Sequence, residues 1–226
     1  MSIYLTQSKF KPGLRGLSVV MGLAAACLLA QPQWTLADSG APMTSHERMA
    51  MMHHMAPMPK TGGVSRSQVQ YKIPAVSLTR SDGTQVRFPQ ELDDGRPVIL
   101  DFVYTSCISI CPILSQTLEQ VQSRLGAEAS QVRMVTVSID PEQDTPAHLA
   151  EYARTFHAGD QWSFYTGTRE ASLALQKAFD VYRGDKMNHD PVIFLRGAPG
   201  QPWVRLDGFP PPDRVVAEYR QLAGAS

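Results

Sequence analysis

In Leu100-Asp101-Phe102-Val103-Tyr104-Thr105-Ser106-Cys107-Ile108-Ser109-Ile110-Cys111-Pro112 a short apolar run leads into two cysteines four positions apart, with a proline directly after the second. The apolar run Val98–Tyr104 reads as a strand buried on both faces. Beyond it Ile113, Leu114, Leu118, Val121 and Leu125 recur at helical spacing, so a helix is predicted over Ile113–Leu125. The two cysteines therefore belong to a strand-to-helix turn. Pro112 suits the first helical position and disfavours helical geometry at Cys111, which puts the pair in loop and helix edge. Orphan N–H groups and the positive dipole end of a helix lower thiol pKa values there, and the thiolate is the species that attacks disulfides or binds metal. Two sulfurs at this spacing reach one metal ion or each other. A structural disulfide or two inert buried thiols is the plainer reading of the same residues.

Working outward, Val76-Ser-Leu-Thr-Arg-Ser-Asp-Gly-Thr-Gln-Val-Arg-Phe88 alternates on each side of a Ser-Asp-Gly turn and predicts a hairpin. Glu91–Arg96 reads as a polar loop. Arg133–Ile139 is a second buried strand, ended by Asp140-Pro141-Glu142-Gln143-Asp144-Thr145-Pro146. There Asp144 or Thr145 is expected to cap a helix running to Phe156. A short strand at Trp162–Tyr165 and a helix at Arg169–Phe179 follow, then a polar loop over Val181–Asn188. His189-Asp190-Pro191 precedes the apolar Val192-Ile-Phe-Leu195, which Gly197–Gln201 turns into Trp203-Val-Arg-Leu206. The last helix is expected at Pro212–Ala223. Strands alternating with helices indicate α/β architecture with both sheet faces covered. The order predicts a thioredoxin-like fold: a central mixed sheet flanked by helices, with an N-terminal β-hairpin extension and a terminal hairpin and helix. Pro191 stands where such folds commonly carry a cis-proline, and cis is expected there.

The chain has 226 residues, with 21 basic and 21 acidic side chains, so nothing points to nucleic acid or a polybasic membrane surface. Residues 1–37 read as a signal peptide: Lys9, Lys11 and Arg15, then the 14 apolar residues Leu17–Ala30, then Thr35-Leu36-Ala37 as cleavage site. An uncleaved anchor holding the protein at the membrane is the alternative. Export, to the periplasm or the periplasmic face of the inner membrane, implies a disulfide-permissive compartment. Cys27 falls in the apolar run, so cleavage leaves Cys107 and Cys111 as a single pair. Residues 38–70 read as a flexible linker and 71–226 as the globular domain. The linker holds Met43, His46, Met49, Met51, Met52, His53, His54, Met55 and Met58, six of the ten methionines and three of the six histidines. Thioether with imidazole suits Cu(I) better than hard ions, so an auxiliary copper-capturing tract is expected here, against an incidental low-complexity linker.

Tyr104-Thr105-Ser106-Cys107-x-x-x-Cys111-Pro112, Ser138-Ile139-Asp140-Pro141-Glu142-x-Asp144-Thr145-Pro146, Thr166-Gly167-Thr168, and His189 before an apolar strand together closely resemble the Sco/SenC family. Those are copper-binding, thioredoxin-fold proteins of cytochrome c oxidase assembly. The resemblance runs from about Tyr71 to the C-terminus. It implies that Cys107 and Cys111 match two thiolate ligands and His189 an imidazole ligand. Many members carry Thr-His-Cys-Pro-Asp-x-Cys-Pro; Ser106 and Ile108-Ser109 replace the His and the Pro-Asp here, removing an acidic group but none of the three ligands. The donor set, two thiolates and one imidazole, independently suits copper as Cu(I) or Cu(II). Asp190 is a candidate partner for the imidazole, a solvated loop carboxylate being the alternative. His148 and His157 read as solvated, and Trp162 and Trp203 as packing residues.

The expected function is an exported copper chaperone, delivering copper by ligand exchange to the copper-site subunit of a haem–copper oxidase. A small copper carrier or a thiol–disulfide reductant is a further expected partner. The first alternative is a thiol–disulfide oxidoreductase in which Cys107 attacks and Cys111 resolves, reducing a partner's copper-site cysteines. The second is a copper-buffering or resistance protein relying on the Met/His tract.

Overall fold

A computed structural model describes residues 63–224 of the chain. The expected signal peptide, the Met/His tract and most of the expected linker lie outside the described residues. The strands are β1 (Ser65–Val69), β2 (Ser77–Arg80), β3 (Gln85–Arg87), β4 (Val98–Val103), β5 (Arg133–Ser138), β6 (Trp162–Thr166), β7 (Val192–Arg196) and β8 (Trp203–Asp207). They form one mixed sheet in the order β1-β8-β7-β4-β5-β6-β2-β3. β4, β5 and β6 run parallel, whereas β7 lies antiparallel to β4 with Asp101 opposite Ile193. The helices are α1 (Phe88–Leu92), α2 (Ile110–Leu125), α3 (Pro146–Thr155), α4 (Arg169–Ala178) and α5 (Pro212–Ala223), with 3₁₀ turns at Gly126–Gln131 and Lys186–Asn188.

Every residue of β4 is buried, as its unbroken apolar run requires. Strand alternation sends Ile99 and Val103 to one face, where they join Leu114, Leu118, Val121, Leu149, Ile193, Val215 and Tyr219. Leu100 and Phe102 go to the other, with Val135, Val137, Leu175, Phe179, Phe194 and Trp203. Phe179 anchors this second core, with ring centroids 5.4 Å from Phe102, 5.0 Å from Phe194 and 5.3 Å from Trp203. Each such side chain contributes roughly 1.5–3 kcal/mol by leaving water. The thioredoxin-like architecture and its N-terminal hairpin are as the sequence predicts. Gly83, at φ 87°, supplies the left-handed residue of the hairpin turn.

The structure departs from the sequence reading at four places. β1 forms within the stretch read as linker. All its residues but Val69 are exposed, so no apolar period announces it; its backbone pairs with β8, and Arg66 donates to Glu218 at 3.0 Å. α1 begins at Phe88, before the stretch read as polar loop, because Phe88 and Leu92 bury against the second core. α2 begins at Ile110 rather than beyond Pro112, so Cys111 and Pro112 lie inside its first turn. That placement loses no hydrogen bond, since N–H groups of the first turn have no intrahelical partner. Finally, no cis peptide bond occurs among the described residues, so Pro191 is trans. Trans is the ordinary isomer even before proline, and the Pro191 carbonyl accepts the Gly208 N–H at 2.9 Å.

Candidate metal centre

The cysteine turn is fixed from below and from the side. Cys107 donates its backbone N–H to the Tyr104 carbonyl at 3.0 Å, closing the turn that leaves β4. Asp144, fully buried in the loop after β5, accepts from the Thr105 hydroxyl at 2.6 Å, from the Thr105 N–H at 3.2 Å and from the Ser138 hydroxyl at 2.6 Å. This carboxylate bolts the turn to the end of β5. Of the two expected helix caps, Thr145 takes the role, its hydroxyl accepting the His148 N–H.

Cys107 and Cys111 are both buried and both free thiols. The Cys111 N–H donates to Cys107 Sγ at 3.4 Å, an interaction made available because Cys111 sits in the first turn of α2. The two thiols are inequivalent. Burial alone pushes Cys107 up, but hydrogen bonds from the Cys111 thiol and N–H, the Ser109 N–H and the Tyr104 hydroxyl outweigh it and bring the pKa down to about 7. Cys111 is driven well above the ordinary thiol range, first by burial and next by Cys107 beside it.

Asp101, which the sequence reading passed over, is completely buried. Strand alternation aims it at the same face as Ile99 and Val103, the face α2 covers. Thr136 donates to its Oδ1 at 2.6 Å and Trp162 Nε1 donates to Thr136 at 2.8 Å, while Oδ2 has no partner. Burial raises its pKa to about 7, the Thr136 hydroxyl opposing. The available signal was an acid in the middle of an otherwise apolar strand, Val98-Ile-Leu-Asp101-Phe-Val103.

His189 is buried, not a solvated loop side chain. The antiparallel register of β7 on β4 carries the residues preceding β7 to the end of β4 from which the cysteine turn emerges. There a ring nitrogen, Nε2, lies 2.9 Å from the Phe102 carbonyl. A carbonyl only accepts, so Nε2 carries the proton and Nδ1 keeps the lone pair. Nδ1 is buried without a partner. Burial lowers the His189 pKa below its ordinary value, the Phe102 carbonyl opposing, which favours the neutral ring. A neutral imidazole with one nitrogen anchored by a carbonyl and the other bare is prepared as a metal ligand. Of the two readings of Asp190, the structure gives the solvated loop carboxylate: it is exposed and accepts from Arg183 at 2.6 Å. Among the described residues no three His, Cys, Asp or Glu side chains stand close enough to hold one ion as they lie, so joining His189 to both sulfurs requires movement.

The strap before His189 completes the site. Asp185 caps the 3₁₀ turn by accepting the Met187 N–H at 2.9 Å. Lys186 pairs with Asp140 at 2.5 Å and stands 5.4 Å above the Tyr104 ring. Beside it a cleft of about 420 Å³ is lined by Asp140, Ser172, Tyr182, Lys186 and His189, among others. His148 and His157 are exposed as expected, and Trp162 and Trp203 pack in the two cores.

Residues 66–224 match the SCO1/SenC family model. The chain belongs to the SCO1/SenC family. The SCO1 homologue of Bacillus subtilis is 26% identical over 168 residues, covering 70% of this chain and 86% of that protein. The mitochondrial SCO2 homologue of Bos taurus is 34% identical over 90 residues, where the match spans only 33% of the relative. Among solved structures, BsSco, a member of the Sco family of cytochrome c oxidase assembly proteins in which a disulfide switch is identified, superposes with a TM-score of 0.59 and 25% identity. That match covers 71% of this chain and 98% of that one. Arabidopsis thaliana ScoI with copper bound gives 0.57 and 25%, covering 69% and 100%. These SCO1/SenC neighbours share the thioredoxin-like frame that carries the cysteine turn and the His189 loop here.

Proposed function

We propose that this protein is an exported copper chaperone that holds copper through Cys107, Cys111 and His189 and delivers it to a copper-site subunit of a haem–copper oxidase. The observation that carries the reading is the bare, buried His189 Nδ1, anchored through its Nε2–H to β4 where the free thiol pair begins. The copper held by the Arabidopsis relative and the oxidase-assembly role of BsSco support the metal and the client class. Copper supplies the soft cation, and the chain supplies two sulfurs and a neutral imidazole, a set suited to copper. Each thiol that becomes a ligand gives its proton to water, so affinity rises with pH. Residues 71–226, with β1 added to the sheet, act as the copper-binding domain; the stretch from residue 38 up to β1 acts as a linker bearing the Met/His tract, and residues 1–37 as the export signal.

A test equilibrates the reduced chain with Cu(I) in a chelator strong enough to empty thioether-only sites. One copper per chain in the wild type, lost in the Cys107→Ser, Cys111→Ser double variant and weakened in His189→Ala, is the expected result. Full copper in the double variant would sink the site.

The inequivalence of the thiols favours a second reading, a thiol–disulfide oxidoreductase. Cys107 thiolate attacks a partner's disulfide, releasing one partner thiolate. Cys111 then gives up its proton and attacks the mixed disulfide, freeing the second partner thiol and leaving Cys107–Cys111 oxidised. His189→Ala separates the two, because this exchange uses no imidazole.

A further inference from the structure

Met187 lies in the strap two residues before His189, with 71% of its surface exposed. An exposed methionine is an unusual way to end a polar turn, yet this one is held. Its N–H is capped by Asp185, and its Sδ accepts a hydrogen bond from the Tyr104 hydroxyl at 3.4 Å. The backbone carbonyl of the same tyrosine accepts the Cys107 N–H at 3.0 Å. Tyr104 thus joins the rim thioether, through its hydroxyl, to the turn that carries the buried thiol pair, through its carbonyl. The sulfur–hydroxyl contact is weak and easily surrendered. A thioether is a soft, uncharged donor that favours Cu(I) and gives it up readily to a thiolate. The buried thiols and His189 offer incoming metal little exposed surface, and none of their ligand atoms stands at the rim as Met187 does.

We propose that Met187 is a further copper ligand of this site, taking Cu(I) at the rim and passing it inward to Cys107, Cys111 and His189. The inference rests on the copper-site reading given above. No electron moves: copper arrives and remains as Cu(I), the bond to the thioether breaks as bonds to thiolates form, and the thiol protons go to water. Leucine at position 187 keeps the apolar bulk and removes only the soft donor, so it separates ligation from apolar contact with a partner.

The experiment uses the full chain, reduced and without oxygen, with Cu(I) presented as its bicinchoninate complex in stopped flow. Met187→Leu is expected to slow Cu(I) uptake by about tenfold or more while leaving final copper per chain and the Cu(II) uptake rate unchanged. In methyl-labelled methionine spectra of the Cys107→Ser, Cys111→Ser variant, where no thiolate takes the metal on, the signal that disappears when Met187→Leu is added is expected to shift with Cu(I). A wild-type uptake rate in Met187→Leu, or a Met187 methyl signal that does not move, overturns the proposal while Cys-dependent copper leaves the core site standing. Full copper in the Cys107→Ser, Cys111→Ser variant overturns the core site and the Met187 role with it.

Discussion

The two halves of the site are held by opposite kinds of interaction. The cysteine turn is gripped by buried groups: Asp144 on Thr105 and Ser138, the first turn of α2, and the packed end of β4. The strap over residues 180–190 is held largely by charge pairs, Arg183 with Asp190 and Asp180 exposed to solvent, and Lys186 with Asp140 partly buried. Buried hydrogen bonds to a carboxylate are costly to break, whereas exposed ion pairs contribute about 0–1 kcal/mol. Bringing His189 to both sulfurs requires movement, and the difference assigns that movement to the strap. The proposed chaperone role would gain from this arrangement: a fixed dithiol and, in His189, a third ligand that yields during exchange.

The comparison fails first if the turn is not the rigid half. Asp144→Ala removes three hydrogen bonds and is expected to destabilise the fold by about 4 kcal/mol, read as a lower midpoint in urea unfolding with unchanged slope. A loss no greater than about 1 kcal/mol would mean the turn stands without its bolt. Next in size, His189→Ala is expected to weaken Cu(I) affinity by about a hundredfold in chelator competition, at a cost to folding of about 1–3 kcal/mol for the buried hydrogen bond to Phe102. Equal affinity would remove the strap from the metal site.

Asp101 sharpens the rigid half through pH. Its folded pKa, about 7, lies above the carboxylate's ordinary 3.8, so the folded state binds the extra proton between those values. Its contribution to stability is full below about pH 4, falls as pH rises, and is lost above about pH 7. Asp101→Asn is therefore expected to gain about 2 kcal/mol over wild type at pH 8: about 4 from the titration, less about 2 for an amide without partners. The gain disappears near pH 4, and unfolding series at the two pH values measure it. Cys107 offers a chemical readout: its alkylation by iodoacetamide should rise with pH and level off above about pH 7, while Cys111 stays unreactive there. The smallest effect is expected from Arg183→Ala, which removes exposed ion pairs and exposed hydrogen bonds to the Tyr182 and Asp180 carbonyls and should change stability by less than about 1 kcal/mol.

The frame was legible because its signals are local. The run Val98–Tyr104 is fully apolar but for Asp101, and α5 begins at Pro212 and ends at Ala223 as its period and proline indicate. β1 was illegible for the opposite reason: Ser65-Arg-Ser-Gln-Val69 has no apolar face, and only the edge of β8 makes it a strand. Cys107, Cys111 and His189 could be named from residue type, spacing and family likeness. Their states could not. The low pKa of Cys107 depends on Tyr104 and Cys111 folding back upon it, the bare Nδ1 of His189 on a carbonyl 87 positions earlier, and the placement of Asp144 on a turn 39 positions away. Sequence by itself determined which donors the chain carries and the α/β order that carries them, because composition and periodicity act over a few residues. Tertiary structure decided which donors are buried, bare or gripped, because burial and hydrogen bonding are properties of groups brought together from distant parts of the chain.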